Sequence, residues 1–284
     1  MRSIASFLTL AVLSLAFVSV SRADTTIYGN TYGGGGVGIW DAQTGALLGH
    51  IQTSEMASNN GRGVVVVGNI MYYTGASSGS VYAYDLSTNT DLGVKFTVAG
   101  ASGLATMAYD GTNLYLGDYS GTNNVYKYSL GGTLLATFKL AACTSYCDGL
   151  EYANGNLISN EFDGGYGGTN YYDVYSLTGT LLQSHFITAS QTGAATGIAF
   201  DGTDYWVSGI YDHTLREYDI NGNYVGSTTL TSYGSGFAGN EDLSANYAVV
   251  LGQVPEPSSI VLLATVLAAV VLAIRKRVAL RPQA

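Results

Sequence analysis

The 284-residue sequence predicts an all-β chain: a five-bladed β-propeller closed by its N- and C-terminal strands, flanked by an N-terminal signal peptide and a single C-terminal transmembrane helix. Three observations predict the propeller. The composition is rich in turn formers and in residues suited to half-buried pleated surfaces, with 38 Gly and 23 Tyr, while charged residues make up only 11%. A strand ending in an aromatic residue, then Asp or Ser, then a turn, occurs at Trp40-Asp41, Tyr84-Asp85, Tyr128-Ser129, Tyr175-Ser176 and Tyr218-Asp219, at spacings of 44, 44, 47 and 43 residues. Four short strands fit such a period, which is the size of a propeller blade.

Each copy can be divided into strands by its turns. After most of the aromatic turns another apolar strand follows, at residues 46–51, 133–140, 180–187 and 224–230. Before them lie hairpins, clearest at 104–117 around Asp110-Gly111-Thr112-Asn113 and at 198–208 around Asp201-Gly202-Thr203-Asp204. Asp-Gly between alternating apolar runs is a strong hairpin signal. The first copy, residues 25–53, supplies three strands and no innermost one. The missing strand is expected from the other end, where Glu241-Asp242-Leu243-Ser244-Ala245-Asn246 echoes the stretch Asp148 to Asn154. A blade shared by both ends closes the ring and removes its open edge. The competing architecture is a β-sandwich or barrel with a coincidental period; a β-helix needs shorter coils.

The termini carry different information. Arg2 precedes an uncharged apolar segment from Ile4 to Val20, and Ser21-Arg22-Ala23 ends it with small residues, so residues 1–23 read as a signal peptide. The propeller then occupies residues 24–253, with nineteen acidic and five basic residues, a net charge of −14. That balance excludes nucleic acid as a partner, because binding it depends on neutralising phosphates with Lys and Arg. In an exported chain Cys143 and Cys147, four residues apart, are expected to form a local disulfide.

Residues 254–284 have three parts: Val254-Pro255-Glu256-Pro257, an apolar run from Ser258 to Ile274, and the basic cluster Arg275, Lys276 and Arg277. As a helix the run spans about 25 Å, just enough for a hydrocarbon layer of ~30 Å. The basic cluster stops transfer and stays on the cytoplasmic side, which leaves the rest of the chain outside the cytoplasm. A core helix of a soluble domain is the alternative, and nothing else in the chain is helical enough to pack against it.

This order of motif, apolar helix and basic end resembles the PEP-CTERM sorting signal of exported bacterial proteins, substrates of the membrane proteases called exosortases. The resemblance covers about 25 residues. Val254, Pro255, Glu256 and Pro257 fall on its recognition motif and Arg275, Lys276 and Arg277 on its basic end; Val278 to Ala284 extend past the pattern. The resemblance implies processing near Pro255 to Pro257, an exosortase-type partner, and a place in the envelope near exopolysaccharide or other matrix. In strand plan alone the repeats resemble propellers of the NHL kind.

Propellers place their sites at the channel mouth, on loops entering the inner strand and loops joining the second strand to the third. By the strand plan those loops hold Arg62, Asp118, Tyr119, Asp148, Glu161, Asp163, Asp212, His213, Glu241 and Asp242. The catalytic candidates are Asp118, Glu161, Asp163 and Asp212, joined by Asp148. A glycoside hydrolase or lyase would need two or three of these carboxylates within about 5 to 9.5 Å. Asp148, Glu241 and Asp242 are the metal candidates. No cofactor is required, and Ca²⁺, which takes oxygen ligands, is the ion such a set would bind. The plainer reading is a solvated rim. Tyr166, Tyr171 and Tyr172 are candidates for stacking on sugar rings.

Weaker signals resolve structurally. Gly33 to Gly38 satisfies GxGxxG, but no helix follows, so it reads as a loop. Asp219 to Asn223 begins like a calcium loop but has Tyr224 where Gly is needed and Leu230 where Glu is needed, so it is a hairpin turn. His50, His185 and His213 lie far apart in sequence and read as structural. With no convincing catalytic set, the expected role is a non-catalytic binding or structural propeller on the cell surface with a polysaccharide ligand, and the alternative is the channel-carboxylate hydrolase or lyase.

Overall fold

A computed structural model describes residues 25–251 except 59, 119–122, 144–146, 162–168, 191–193 and 235–236. The expected signal peptide, the segment 254–284 with its expected helix, and the candidates Tyr119, Asp163 and Tyr166 lie outside the described residues. Among the described residues no helix is long and apolar enough to cross a membrane.

Strands β1 (Thr26–Thr31), β2 (Val37–Asp41) and β3 (Leu47–Ile51) are followed by a one-turn helix, α1 (Ser54–Ser58). Three blades then run in sequence order: β4 (Gly61–Val67), β5 (Ile70–Gly75), β6 (Ser80–Asp85) and β7 (Thr90–Thr97); β8 (Leu104–Tyr109), β9 (Asn113–Asp118), β10 (Asn124–Ser129) and β11 (Leu134–Lys139); β12 (Leu150–Ala153), β13 (Asn156–Glu161), β14 (Asn170–Tyr175) and β15 (Leu181–Ala189). The fifth blade is β16 (Ala195–Phe200), β17 (Tyr205–Gly209), β18 (Thr214–Tyr218) and β19 (Tyr224–Thr229), after which β20 (Asn240–Ser244) and a short helix, α2 (Tyr247–Val250), end the described chain.

Each blade is a four-stranded antiparallel sheet, and blade 1 has the order β20-β1-β2-β3. The innermost strand of the first blade therefore comes from the C-terminus, paired Tyr28 to Ser244 and Asn30 to Asp242. This is the shared blade expected from the incomplete first repeat. The five recurring aromatics Trp40, Tyr84, Tyr128, Tyr175 and Tyr218 all fall near the ends of third strands and all are buried. Alternation along a strand turns them onto one face of each sheet, against the neighbouring blade. The outer strand β7, TDLGVKFT, carried no clear apolar signal because it is solvent-facing along most of its length.

In blades 1, 3, 4 and 5 the turn after the third strand locks one blade to the one before it. Gly45, Gly132, Gly179 and Gly222 sit there with φ of 71°, 86°, 87° and 80°, and Asn89 takes the same left-handed conformation at φ 53° in blade 2. A Cβ at these glycines would collide with the carbonyls of Thr229, Lys139 and Phe186 or with the Phe96 ring. Only a residue without a side chain fits so close a backbone approach. The contact of Gly45 with Thr229 joins blade 1 to blade 5 and so repeats the lock across the closure.

Apolar clusters fill the spaces between blades. Val65, Leu104, Met107 and Leu114 pack between blades 2 and 3 with Tyr247 of α2. Trp40, Ile27, Trp206 and Leu243 pack between blades 5 and 1. Cys143 and Cys147 are joined by a disulfide with Cα atoms 6.0 Å apart, in the connection between β11 and β12.

Candidate functional site at the channel mouth

The inner strands β4, β8, β12, β16 and β20 line the central axis, each beside the next and β20 beside β4. They are parallel: the amides of Val64 and Val66 donate to the side chains of Asp242 and Ser244, and Val66 bridges Asn246 in parallel. All five consequently begin at one end, the mouth, where the second strands also finish. The opposite end, the base, holds the turns from first to second strands, and there α2 lies.

Two carboxylates near the axis serve the backbone. An innermost strand has no sheet neighbour on its inner side, so its N–H groups need other acceptors. Asp242 Oδ2 accepts from Val64 N and Met107 N, both at 3.1 Å, which ties blade 1 to blades 2 and 3. Glu151 accepts from Phe200 N at 3.1 Å, from Tyr152 N at 2.7 Å, and from the Tyr247 hydroxyl of α2. Burial pushes the Glu151 carboxyl up to about 8 against the pull of these donors. Burial raises Asp242 well above the carboxylate range, opposed by the Val64 and Met107 amides, and the Glu151 charge adds to the rise.

At the mouth, three blades contribute to one ionic cluster. Arg62, the second residue of β4, donates from Nη1 to Glu241 at 3.0 Å, and the same nitrogen is 3.7 Å from Asp148, just ahead of β12. Asn60 Nδ2 donates to the other Glu241 oxygen at 3.0 Å. Desolvation pushes the Asp148 carboxyl up to about 7; Arg62 opposes the rise and Glu241 adds to it. Glu241 is also raised by burial, with Arg62 and Asn60 acting the other way. One guanidinium cannot neutralise two buried carboxylates, so Asp148 holds its proton to higher pH than an exposed aspartate does.

The remaining candidates do not join this cluster. Asp212 is held by Arg216 in a two-point pair at 2.9 and 3.1 Å. Asp118 is buried at the end of β9 and lines a small cleft between blades 3 and 4 with Thr106, Asn124 and Leu150, whose space of about 10 Å³ is roughly that of one water. β13 ends at Glu161, whose side chain lies outside the described set. Among the described residues no group of three or more His, Cys, Asp or Glu is placed to hold a metal ion. Asp148 and Glu241 share Arg62, whereas Asp242 is engaged with backbone amides.

The tyrosine candidates divide. Tyr172 is fully buried and its hydroxyl donates to the Thr196 carbonyl at 3.0 Å, so it offers no face to a sugar. Its neighbour Tyr171 points to the opposite face of β14 and stacks on His185, with ring centroids 3.9 Å apart. His50 stacks on Tyr233 at 3.9 Å and His213 on Phe237 at 4.3 Å, which places all three histidines in packing roles. The sequence reading missed Asn60, Glu151 and Tyr247. Glu151 left a trace, a lone acid between Leu150 and Tyr152 in an inner strand. Nothing local marks Tyr247 as its partner.

Residues 253–277 match the PEP-CTERM protein-sorting motif, which marks an exported, envelope-associated protein. No curated protein matches the chain by sequence. Among solved structures the chain is similar to one in the crystal structure of a nidogen/laminin complex, at 9% identity and a TM-score of 0.55, covering 78% of this chain and 98% of that one. It also matches Myxococcus xanthus glutaminyl cyclase at 16% identity and a TM-score of 0.46, over 69% of this chain and 76% of that one. The first likeness is one of fold, and the second carries no argument.

Proposed function

We propose that this chain is an exported envelope protein, anchored through its C-terminal segment and processed there by an exosortase-type membrane protease, whose propeller is a non-catalytic binding or structural module for surface polysaccharide or other matrix. The observation that carries the proposal is the adjacency of the two parts: the sorting motif begins at residue 253, two residues after the last described residue of the propeller. Engagement of Asp242 and Glu151 with backbone amides supports binding over turnover. Asn60, Arg62 and Asp148 at the mouth supply the donors and acceptors that a polyhydroxylated ligand would meet.

One observation favours hydrolysis as the second reading. Asp148 has a carboxyl displaced up to about 7, as a general acid requires, and it shares one guanidinium nitrogen with Glu241. That sharing keeps the two carboxylates closer than the roughly 9.5 Å upper limit of glycosidase pairs.

The sorting half is tested by replacing Pro255, Glu256 and Pro257 with alanine and following the protein between membrane, surface and medium, with and without a functioning exosortase. Loss of processing in the variant is expected, and an identical distribution in all four cases would exclude the assignment. A glycan array with the purified protein, with and without calcium, tests the binding half. Release of reducing ends that stops in Asp148→Asn would favour the hydrolase.

A further inference from the structure

The base of the propeller has two features that its mouth lacks. The first is the exit of the chain. β20 runs down the axis and α2 closes the base: Asn246 brackets Gly68 with hydrogen bonds of 2.9 and 3.0 Å, Tyr247 is buried edge-on against Tyr109, and Leu251 follows at once. Thr25, at the other terminus, also lies at the base, its hydroxyl 3.1 Å from Asp201 in the β16–β17 turn.

The second feature is an apolar girdle. Leu48, Leu92, Leu134, Leu181 and Val225, one from each blade, are 37% to 59% exposed. Each lies among the first residues of its outer strand, beside the turn that joins the third strand to the fourth on the base side. Val249 of α2 is exposed at the centre of the same face. Among the described residues the large exposed hydrophobics at the mouth are represented by Tyr211 alone. An apolar surface repeated in five blades and confined to one side is unlike the scattered single exposures of an ordinary surface.

We infer that the base of the propeller rests on a lipid surface, with the Arg62–Asp148–Glu241 mouth turned away from it. The inference builds on the proposal that the C-terminal segment is a membrane tether. Six residues, 252–257, separate the described chain from the apolar run, and fully extended they reach about 20 Å. Bringing the mouth to the membrane would take the tether from the axis out past four strands, about 20 Å, and up the depth of a six-residue strand, about 20 Å more. The tether is too short by half. The same reach would let the propeller lie on its rim, and the girdle, gathered at the base side of all five blades, is what favours the base-down orientation. The base also carries Asp41, Asp85, Asp110, Asp201 and Asp219 in its turns, so the lipid it fits is zwitterionic rather than anionic.

The test uses the full chain in phosphatidylcholine vesicles containing a lipid with a nitroxide-labelled headgroup. A fluorophore on a non-canonical residue is placed either at Thr112, in an exposed base turn, or at Ala57, exposed on α1 at the mouth. Quenching at 112 is expected to exceed that at 57 by about threefold, the distance dependence of a label held at the headgroup layer. A 20-residue Gly-Ser insertion after Gly252 should keep this difference in the native sequence and remove it in Leu134→Ser, Leu135→Ser, Leu181→Ser, Leu182→Ser, since the girdle then no longer holds. Co-flotation with equal quenching at both positions, or stronger quenching at 57, overturns the orientation alone. Failure to float with vesicles overturns the tether, and the orientation with it. Base-to-base pairing of two copies would shield position 112 from the nitroxide and also overturn the inference.

Discussion

The Oδ2 atom of Asp242 accepts the amide of Val64 at 3.1 Å, across 178 residues of chain. The same oxygen accepts Met107 N at 3.1 Å, so the final strand secures the inner edges of blades 2 and 3 as well as completing blade 1. Closure is therefore felt beyond blade 1, and these inner-edge amides of blades 2 and 3 are satisfied only once the C-terminus has docked.

Deleting residues 242–250 should accordingly lower the melting temperature of the entire domain in a single transition. Asp242→Ala leaves two buried amides unpaired, at about 1 to 3 kcal/mol each, for a loss on the order of 2 to 6 kcal/mol. Urea denaturation measures it. A loss below about 1 kcal/mol would mean that the edge amides find other acceptors.

The buried carboxyls predict an acid-shifted stability optimum. Glu151 is raised to about 8 and Asp148 to about 7 in the folded protein, with burial the main cause in each. The folded chain therefore holds protons that the unfolded chain releases above pH ~4, and stability falls as pH rises through about 7 to 8. Asp110 works in the opposite sense: the Asn113 and Thr112 amides, with the side chains of Asn113 and Tyr115, outweigh its burial and hold its carboxyl low, so its contribution is lost in acid. Melting temperature should peak near pH ~4, fall as pH rises to about 8, and level off above it. Glu151→Gln should flatten the alkaline limb, and a slope unchanged in that variant would assign the effect to other groups.

The propeller was legible because its signals are local. Asp-Gly turns, the aromatic before each third-strand turn, and the absent inner strand of the first repeat all lie within short stretches, and each reflects a backbone requirement that few residues meet. The mouth was legible as a set of positions, since the strand plan places Arg62, Asp148 and Glu241 at strand starts. Their pairing was not, because it joins residues from three blades and depends on the channel radius. Glu151 and Asp242 were harder still. An acid in an inner strand reads equally as a ligand or as an edge acceptor, and only the distances to Phe200 N and Val64 N decide between them. The girdle was hidden for another reason: Leu134-Leu135 and Leu181-Leu182 look like core residues in sequence, yet the sheet edge leaves them uncovered.

Arg62 should matter more at high pH than at low pH. Its removal in Arg62→Met strands Glu241 and Asp148, both nearly buried, and breaking such a cluster from one side costs about 3 to 5 kcal/mol while the carboxyls are ionised. Lowering the pH protonates them and removes most of the penalty. Denaturation midpoints at pH 5 and pH 8 should therefore converge for variant and native protein in acid and diverge in base. Equal losses at both would indicate that Arg62 acts by packing its side-chain stem.

Gly149 offers a test of how closely the inner strands approach. Its N–H donates to Asn160 Oδ1 at 2.8 Å and its carbonyl accepts from Ser159 Oγ at 2.7 Å, so its backbone is fixed on both sides. A Cβ there would collide with the Thr196 carbonyl oxygen in the next blade, which itself accepts from Tyr172. No flexible side chain can give way, and Gly149→Ala must shift backbone, at about 1 to 3 kcal/mol. Gly226, in the outer strand β19, has no heavy atom within 4 Å of its would-be Cβ, and Gly226→Ala should change stability by less than about 0.5 kcal/mol. Because Asp148 adjoins Gly149, the first variant also displaces the carboxylate from Arg62, and any ligand that the mouth binds should be lost with it while the second variant binds normally. Equal stability and equal binding in the two variants would mean that blades 4 and 5 are separated widely enough at the axis to admit a methyl group.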